Sequence, residues 1–227
     1  MSDRPILYVG EKNISSWSMR AWVAITAKRV PFEERTLPLV GDRDRSRRRQ
    51  VSPTGRLPVL HHAGRVVPDS LAIIEYLEEA FPAPAHPALW PADAGQRAHA
   101  RWLAATMHSG FMKLREGMSF NTCFLPSRPA PPQSALDDAA EMLALLEAAL
   151  ASRADAKGGA GGAGPFLFGA FGAADAMYAP AIVRLTAYEV PTAAAPRAAA
   201  WMRAVLQHDA VRPWLDAARA LPPAETY

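Results

Sequence analysis

The sequence predicts a small α/β domain with the element order βαβαββα, followed by an all-helical domain. Strand-like and helix-like segments alternate over the first 81 residues. After the proline-rich stretch PAPAHPALWP only helical patterns follow. We therefore expect an α/β domain at residues 1–82, a linker at 83–91 and a helical domain at 92–227.

The first three elements form a βαβ unit. Ile6–Gly10 is short and rich in β-branched and aromatic residues, which predicts a strand. Apolar residues at helical spacing predict the first helix over Ser18–Arg29. Phe32–Leu39 predicts a second strand, and Pro38 either ends it or places it at a sheet edge. Because a crossover joins parallel strands, these two strands should pair in parallel.

A hairpin and a helix complete this domain. Leu57–His62, the turn Ala63-Gly64 and the following RVVP predict two antiparallel strands. Ser70–Phe81 then has the apolar spacing of a helix. The arginine-rich Asp42–Arg49 lies between the second strand and the hairpin, and its mixed charges favour a solvated second helix over a site for RNA or anionic lipid.

The rest of the chain is rich in alanine and predicts helices. The predicted helices are Ala92–Ser119, Ser134–Ser152, Ala173–Tyr188, Ala194–Gln207 and Val211–Ala220. The glycine tract Lys157–Pro165 predicts a flexible loop, and it lacks the Gly-Lys-Ser/Thr ending of a phosphate-binding loop.

Composition narrows the class of protein. The formal net charge of +3 is too small to indicate nucleic-acid binding by itself. A single cysteine, Cys123, rules out an internal disulfide, and we expect it to be buried and inert in a reducing compartment. We see no signal peptide and no apolar run long enough for a membrane span. No metal motif occurs, since His61 and His62 should point to opposite faces of a strand.

Pro58 stands where an apolar strand begins, although proline cannot donate to a strand ladder. A cis Leu57-Pro58 bond would turn the N–H and C=O of Leu57 outwards, where an extended peptide could pair with them. The alternative is an ordinary trans proline in a loop, which spacing alone favours because cis bonds are a small minority.

Asp69 and Ser70 precede the helix pattern LAIIEYL, with Ser70 in the N-cap position. A helix N-terminus attracts a carboxylate, and Asp69 beside it could hold an ammonium group. The pair would suit the head of an α-amino acid. The alternative is a cap and nothing more.

The segment NISSWSMRAW, from Asn13 to Trp22, joins the first strand to the first helix. Hydroxyl donors and a helix N-terminus lower the pKa of a thiol. Since this loop contains no cysteine, the thiolate would have to arrive on a ligand. With the two preceding sites, the loop suits an extended peptide that has an α-amino acid head and a central thiol; it could also be only a helix cap.

These motifs resemble those of the cytosolic glutathione S-transferases over nearly the whole chain. The resemblance rests on ILYVGEKNISSWSMRAW, SPTGRLPVL, VVPDSLAIIEYLEEAFP and LWPADAGQRAHARW. Within that family, the sequence is similar to the zeta class, the maleylacetoacetate isomerase type. It is also similar to a bacterial subgroup with an SSWS loop and MHSGF in the fourth helix. The resemblance implies a thioredoxin-like domain, a helical-bundle domain, glutathione as co-substrate, a homodimer and a cytoplasmic role in detoxification, without metal, membrane or nucleic acid.

By position, the resemblance makes Ser15 the catalytic residue, whose hydroxyl would donate to the glutathione thiolate. Ser16 and Trp17 would flank the thiol. It also implies a glutathione-binding role for Arg56, Leu57, Pro58, Asp69 and Ser70.

Within that set, Leu57 would pair with the cysteinyl backbone, held by a cis Pro58. Asp69 and Ser70 would bind the γ-glutamyl end, and Arg56 is a weaker candidate for the glycine carboxylate.

The fourth helix lines the electrophile pocket in this family, so Met107, His108, Phe111 and Met112 are candidate pocket residues. Core packing explains the apolar ones equally well. For His108 a packed or exposed side chain is the favoured interpretation over an acid or base.

The resemblance implies transfer of glutathione to a hydrophobic electrophile. The alternatives are cis–trans isomerisation of the zeta type and non-catalytic glutathione binding. Trp17 stands where the zeta class has cysteine, which separates this chain from those isomerases. The family's Ser/Thr-x-x-Asp box appears as Gly172 to Asp175, and we expect Asp175 to be structural.

Overall fold

The computed structural model describes residues 4–39, 42–155 and 164–223. The strands are Ile6–Val9 (β1), Glu33–Thr36 (β2), Val59–His62 (β3) and Arg65–Pro68 (β4). The helices are Ser16–Ala27 (α1), Asp42–Val51 (α2), Ser70–Ala80 (α3), Ala94–Ser109 (α4), Met112–Gly117 (α5), Gln133–Asp155 (α6), Ala173–Ala187 (α7), Pro196–Gln207 (α8) and Arg212–Ala220 (α9). Most of the predicted loop Lys157–Pro165 lies outside the described residues.

The strands form one four-stranded sheet in the order β2-β1-β3-β4. β1 pairs in parallel with β2, while β1 with β3 and β3 with β4 are antiparallel. The predicted crossover, the hairpin and the edge position of the second strand are therefore confirmed. The predicted second helix is confirmed as well, and its described side chains are exposed or only partly buried.

The predicted helix Ala92–Ser119 is wrong as a single element, because the chain breaks after Ser109. Gly110 is extended, with ψ −173°, and Phe111 adopts a left-handed backbone with φ 54°. Left-handed backbone is uncommon for a residue with a side chain, so a phenylalanine at this position does not predict a helix break. The break turns Phe111 into the core, where it is 8% exposed. A short 3-10 helix at Asn121–Phe124 was also not predicted.

Helix α1 is buried on nearly all sides from Ser16 to Ile25. It packs against the sheet and α3 in the α/β part of the chain and against α7 in the helical part. The N-terminus of α1 therefore lies where the two parts of the chain meet.

A buried ion pair fixes the segment that joins the two parts. The Lys28 side chain is fully buried, and its Nζ lies 2.5 Å from Glu78 Oε2 and 3.0 Å from the carbonyl of Pro87. The same Glu78 oxygen accepts from the N–H of Leu89 at 3.0 Å. Charge-assisted bonds of this kind are shorter and stronger than neutral ones. They hold residues 87–89 against the end of α3.

Gly172 precedes α7, and its N–H donates to Asp175 Oδ2 at 2.9 Å. The reciprocal bond of a capping box needs a side chain that glycine lacks. A Cβ at this position would lie 2.6 Å from the carbonyl oxygen of Leu89, which also accepts from the N–H of Ala173. Close backbone approach therefore explains why this position is glycine.

We expect Gly172→Ser to lower the free energy of unfolding by about 1–3 kcal/mol, because the clash with Leu89 outweighs the gained cap bond. Urea denaturation measures the difference. Gly95→Ser, on the exposed first turn of α4, is the matched control, because a Cβ there meets only the side chain of Asp93, at 3.3 Å, and the free energy of unfolding should change little. A Gly172→Ser protein as stable as the parent contradicts this explanation.

Candidate functional site

Ser15 is the N-cap of α1 and is 5% exposed. Its hydroxyl donates to Ser18 Oγ at 2.7 Å and accepts from the N–H of Ser18 at 3.3 Å. Ser18 Oγ also accepts from the N–H of Gly10 at 3.1 Å. A chain of hydrogen bonds therefore runs from the end of β1 through Ser18 to Ser15. Ser18 was not among the predicted site residues, although its spacing of three residues from the N-cap was a signal for it.

The loop before Ser15 is held by the C-terminal part of the chain. Trp214 Nε1 donates to the carbonyl of Lys12 at 3.0 Å, and Asn13 Nδ2 donates to the carbonyl of Pro222 at 2.9 Å. Lys12 also forms an ion pair with Glu34 at 2.9 Å. These contacts, distant in sequence, set the position of Ser15.

Ser16 contacts the helical part of the chain directly. Its hydroxyl accepts from Arg184 Nη2 at 3.2 Å, and Arg184 Nε donates to the carbonyl of Met118 at 2.8 Å. Burial lowers the pKa of Arg184 to about 10, so the guanidinium remains charged at neutral pH. Ser16 therefore lies against a buried positive charge.

Trp17 is partly buried between charged and aromatic side chains. The guanidinium of Arg20 lies 4.3 Å from its ring centroid, and that of Arg115 lies 5.1 Å away. The ring of His108 meets it edge-on at 5.2 Å. Cations over an indole face are attracted by its quadrupole, so these contacts favour the position of the Trp17 ring beside Ser16.

The prediction of Ser70 as the N-cap of α3 is wrong, because Asp69 occupies that position and Ser70 is the first helical residue. Asp69 reaches it with a φ of 78°, and its Oδ1 accepts from the N–H groups of Leu71 at 2.8 Å and Ala72 at 3.2 Å. Its Oδ2 lies 3.4 Å from His108 Nε2. Ser70 is fully buried, and its hydroxyl has no hydrogen-bond partner among the described residues.

The Leu57-Pro58 bond is cis, and both residues are buried. Because β1 and β3 pair Tyr8 with Val59, the same antiparallel register places Leu57 opposite Gly10, where the Ser15 loop begins. Leu57 therefore lies at the end of the two central strands, next to the loop that carries Ser15. Arg56 is exposed, and its carbonyl accepts from Ser52 Oγ at 2.8 Å.

The fourth-helix candidates separate into three groups. Met107 and Phe111 are 1% and 8% exposed and belong to the core. Met112 is 51% exposed. His108 contacts both Trp17 and Asp69; burial lowers its pKa and the Asp69 carboxylate opposes that shift, so the ring is neutral at pH 7.

Cys123 lies outside this site. It borders a cavity of about 340 Å³ that Phe124, Arg128 and Val183 also line. The thiol is partly buried, and burial raises its pKa to about 11, so it carries little thiolate at neutral pH. The prediction that Cys123 is buried is therefore only partly right, and its inertness stays a prediction.

Two further findings concern the described part of the chain only. No three of its His, Cys, Asp and Glu side chains come together in a group that could hold a metal ion. No helix in those ranges combines the length and the apolar character that crossing a bilayer requires.

The sheet, the cis proline before β3, the buried α1 and the helical remainder define a thioredoxin-like domain joined to a helical domain. The family model of the glutathione S-transferase N-terminal domain matches residues 11–85, and that of the C-terminal domain matches residues 71–204. The chain belongs to the glutathione S-transferase family.

Similar proteins agree with this membership. Probable glutathione S-transferase GSTU1 of Oryza sativa subsp. indica is 31% identical over 87% of this chain and 84% of its own length. Probable maleylacetoacetate isomerase of Caenorhabditis elegans is 34% identical, but the match spans only 50% of each chain. Among solved structures, a glutathione transferase homologue from Burkholderia gl BGR1 with bound glutathione has a TM-score of 0.70 and 29% identity, covering 96% of this chain and 100% of that one.

Proposed function

We propose that the protein is a glutathione transferase that activates the thiol of bound glutathione at Ser15 and presents it to an electrophile. The observation that carries the proposal is the buried hydroxyl of Ser15 at the N-terminus of α1. The family models and the glutathione-bound homologue support glutathione as the ligand.

Thiol activation follows from the Ser15–Ser18 pair. The Ser15 hydroxyl can turn towards a glutathione thiolate, and Ser18 can then donate its own proton back to Ser15 Oγ. Ser18 Oγ remains bonded to the N–H of Gly10 throughout, so neither oxygen loses its partner. A hydrogen bond to the charged form and the positive end of a helix dipole both lower a thiol pKa.

The rest of glutathione is proposed to extend from the Ser15 loop, past Leu57 at the end of the central strands, towards α3. Leu57 would pair with the cysteinyl backbone in the manner of an added strand. Asp69 and Ser70 would hold the γ-glutamyl end, where the α-carboxylate gives the Ser70 hydroxyl an acceptor. Arg56 is exposed and free to meet the glycine carboxylate.

Ser70→Ala tests the γ-glutamyl site. We expect the Kd of glutathione to rise about 10-fold, because a hydrogen bond to a charged carboxylate is lost. The free energy of unfolding should stay unchanged or rise slightly, since the substitution removes a buried hydroxyl with no protein partner in the described ranges.

Isothermal titration with glutathione and urea denaturation measure the two quantities. Ser134→Ala, on the exposed start of α6, is the matched control and should change neither. An unchanged Kd for Ser70→Ala removes Ser70 from the site.

Isomerisation is a second candidate, favoured by the relatives named as maleylacetoacetate isomerases and by a maleyl pyruvate isomerase structure at 26% identity and TM-score 0.70. Isomerisation returns glutathione unconsumed, whereas transfer consumes it. Following free thiol while each substrate reacts distinguishes the two activities.

The same resemblance leads us to propose a homodimer, a cytoplasmic location and a division into domains at 1–82 and 92–227, joined by residues 83–91. Sedimentation of the purified chain tests the dimer.

We also propose that His108 and the exposed Met112 border the electrophile pocket, while Met107 and Phe111 support it from the core.

A further inference from the structure

Three arginines from three helices meet around Ser16 and Trp17. Arg20 lies in α1, Arg115 in α5 and Arg184 in α7. Arg20 and Arg115 both lie over the Trp17 ring, and Arg184 donates to Ser16. We call these three residues the arginine cluster. It borders the proposed thiolate site on the side of the helical domain.

The members of the cluster differ in how well the protein satisfies them. Arg184 donates to the carbonyls of Met118 and Pro180 as well as to Ser16. Arg115 donates through its Nη2 to the carbonyls of Met107 and His108, but its buried Nε has no partner within the described ranges.

Arg20 is the least satisfied member. It is only 2% exposed, and neither its Nε nor its Nη1 finds a hydrogen-bond partner in the described part of the chain. The carboxylate that acts on it is that of Asp69, which already caps α3 and lies against His108. Asp138 acts on Arg115, but its Oδ2 accepts from the N–H of Leu114.

An uncompensated buried charge is costly, so proteins pair such groups or use them. Burial lowers the pKa of all three guanidiniums, and in Arg20 and Arg184 the charge of Arg115 lowers it further. Arginine is the side chain best suited to bind a planar carboxylate through two parallel N–H donors. The cluster therefore has the chemistry of a carboxylate site beside an aromatic surface.

We propose that the electrophile accepted by this enzyme carries a carboxylate, which binds Arg20 and Arg115 while its unsaturated or aromatic part lies against Trp17. The proposal rests on the proposed transferase function and narrows its acceptor from any hydrophobic electrophile to an aromatic or unsaturated acid. Arg184 keeps Ser16 in place and adds to the positive potential. Because Arg20 is only 2% exposed and its guanidinium lies over the Trp17 ring, the Trp17 side chain has to shift for the carboxylate to reach Arg20.

A matched pair of acceptors tests the proposal: 4-chloro-3-nitrobenzoate and its methyl ester. In both, the glutathione sulfur bonds to the chlorinated ring carbon, the thiol proton is lost to solvent and chloride leaves with the bonding electron pair. Each kcat/KM is divided by the rate constant of the uncatalysed reaction with glutathione, which removes the difference in intrinsic reactivity. We expect the parent protein to prefer the acid about 10- to 100-fold, the range of charge-assisted hydrogen bonds.

Arg115→Gln and Arg20→Gln should reduce that preference to about one, and Arg115→Lys should keep part of it, because lysine retains the charge but not the fork of donors. Arg101→Gln is the matched control. Arg101 pairs with Glu75 on the surface, and its replacement should leave the acid-to-ester ratio unchanged.

Isothermal titration of the two S-aryl glutathione conjugates adds a readout that needs no turnover. The carboxylate site is supported if the parent binds the acid conjugate more tightly than the ester conjugate and Arg115→Gln abolishes that difference. If this holds but no conjugation is catalysed, the transferase proposal fails and the carboxylate site stands. Equal treatment of acid and ester by the parent overturns the carboxylate site. So does an equal loss of affinity for glutathione and both conjugates in folded Arg115→Gln and Arg20→Gln, which would assign the cluster to a carboxylate of glutathione itself.

Discussion

Replacing Ser15 with alanine is expected to lower kcat about 100-fold while the Kd of glutathione changes less than about threefold, since loss of one positioned donor to a developing anion costs two to three orders of magnitude in rate. The α1 N-terminus remains in place and keeps part of the thiol activation. The variant should also shift the pH profile of kcat/KM to higher pH, because the bound thiol then ionises less readily. Steady-state kinetics with excess acceptor across pH 6 to about 9 measure both effects.

Two further variants serve as comparisons for Ser15→Ala. Ser18→Ala removes the partner of Ser15, so we expect a smaller loss of about 3- to 10-fold from poorer positioning of the hydroxyl. Ser134→Ala, on the exposed start of α6, should match the parent. Conjugation rates for Ser15→Ala that equal those of the parent at every pH contradict the role of Ser15.

The largest effect on stability is expected for Asp175→Ala. The carboxylate is 1% exposed and accepts from Trp201 Nε1 at 2.7 Å, the N–H of Leu167 at 3.1 Å and the N–H of Gly172 at 2.9 Å. Alanine leaves three buried donors unpaired at about 1–3 kcal/mol each, but it also removes the cost of burying the carboxylate, so we expect a net loss of roughly 3–5 kcal/mol. Denaturant unfolding measures the loss, and a drop below about 1 kcal/mol contradicts the structural role.

The ionisation of Asp175 adds a pH dependence with a definite sign. Burial raises its pKa from 3.8 to about 6, against the hydrogen bonds that favour the charged form. A folded-state pKa above the unfolded one means that this group stabilises the fold fully below pH 3.8 and that the contribution is lost as pH rises through about 6. Asp175→Asn, which cannot titrate, should flatten the stability profile across that window.

Local pattern was enough to predict the order of elements, because strand and helix periodicities alternate cleanly up to residue 81. It failed at Phe111, since a left-handed backbone in a phenylalanine has no local sequence signal. It also placed the α3 cap one residue late, because Asp69 and Ser70 are both good caps and only the positive φ of Asp69 decides between them.

Short motifs indicated where the candidate site lies, and the roles given to its residues stay predictions. The Ser15 loop and the α3 N-terminus were identified from residues that lie close together in sequence. For Leu57-Pro58, spacing alone favoured a trans bond, which is wrong, and only the family resemblance implied the cis bond that the structure has. The arginine cluster could not be identified from local sequence, because it depends on contacts such as Ser16 with Arg184, which are 168 residues apart. The available signal was Arg20, an arginine inside an otherwise apolar helix. A buried arginine indicates a binding site only once the side chains around it are known.

In the proposed function, the N-terminus of α1 and Ser15 together favour ionisation of a thiol that belongs to the bound ligand and not to the protein. The most direct test is a pH titration of the ultraviolet thiolate absorbance of glutathione bound to the parent protein. We expect the bound thiol to titrate at least about one pH unit below free glutathione, and Ser15→Ala to move the midpoint back towards the free value. A bound thiol that titrates where free glutathione does, in a parent protein saturated with glutathione, contradicts the proposed function.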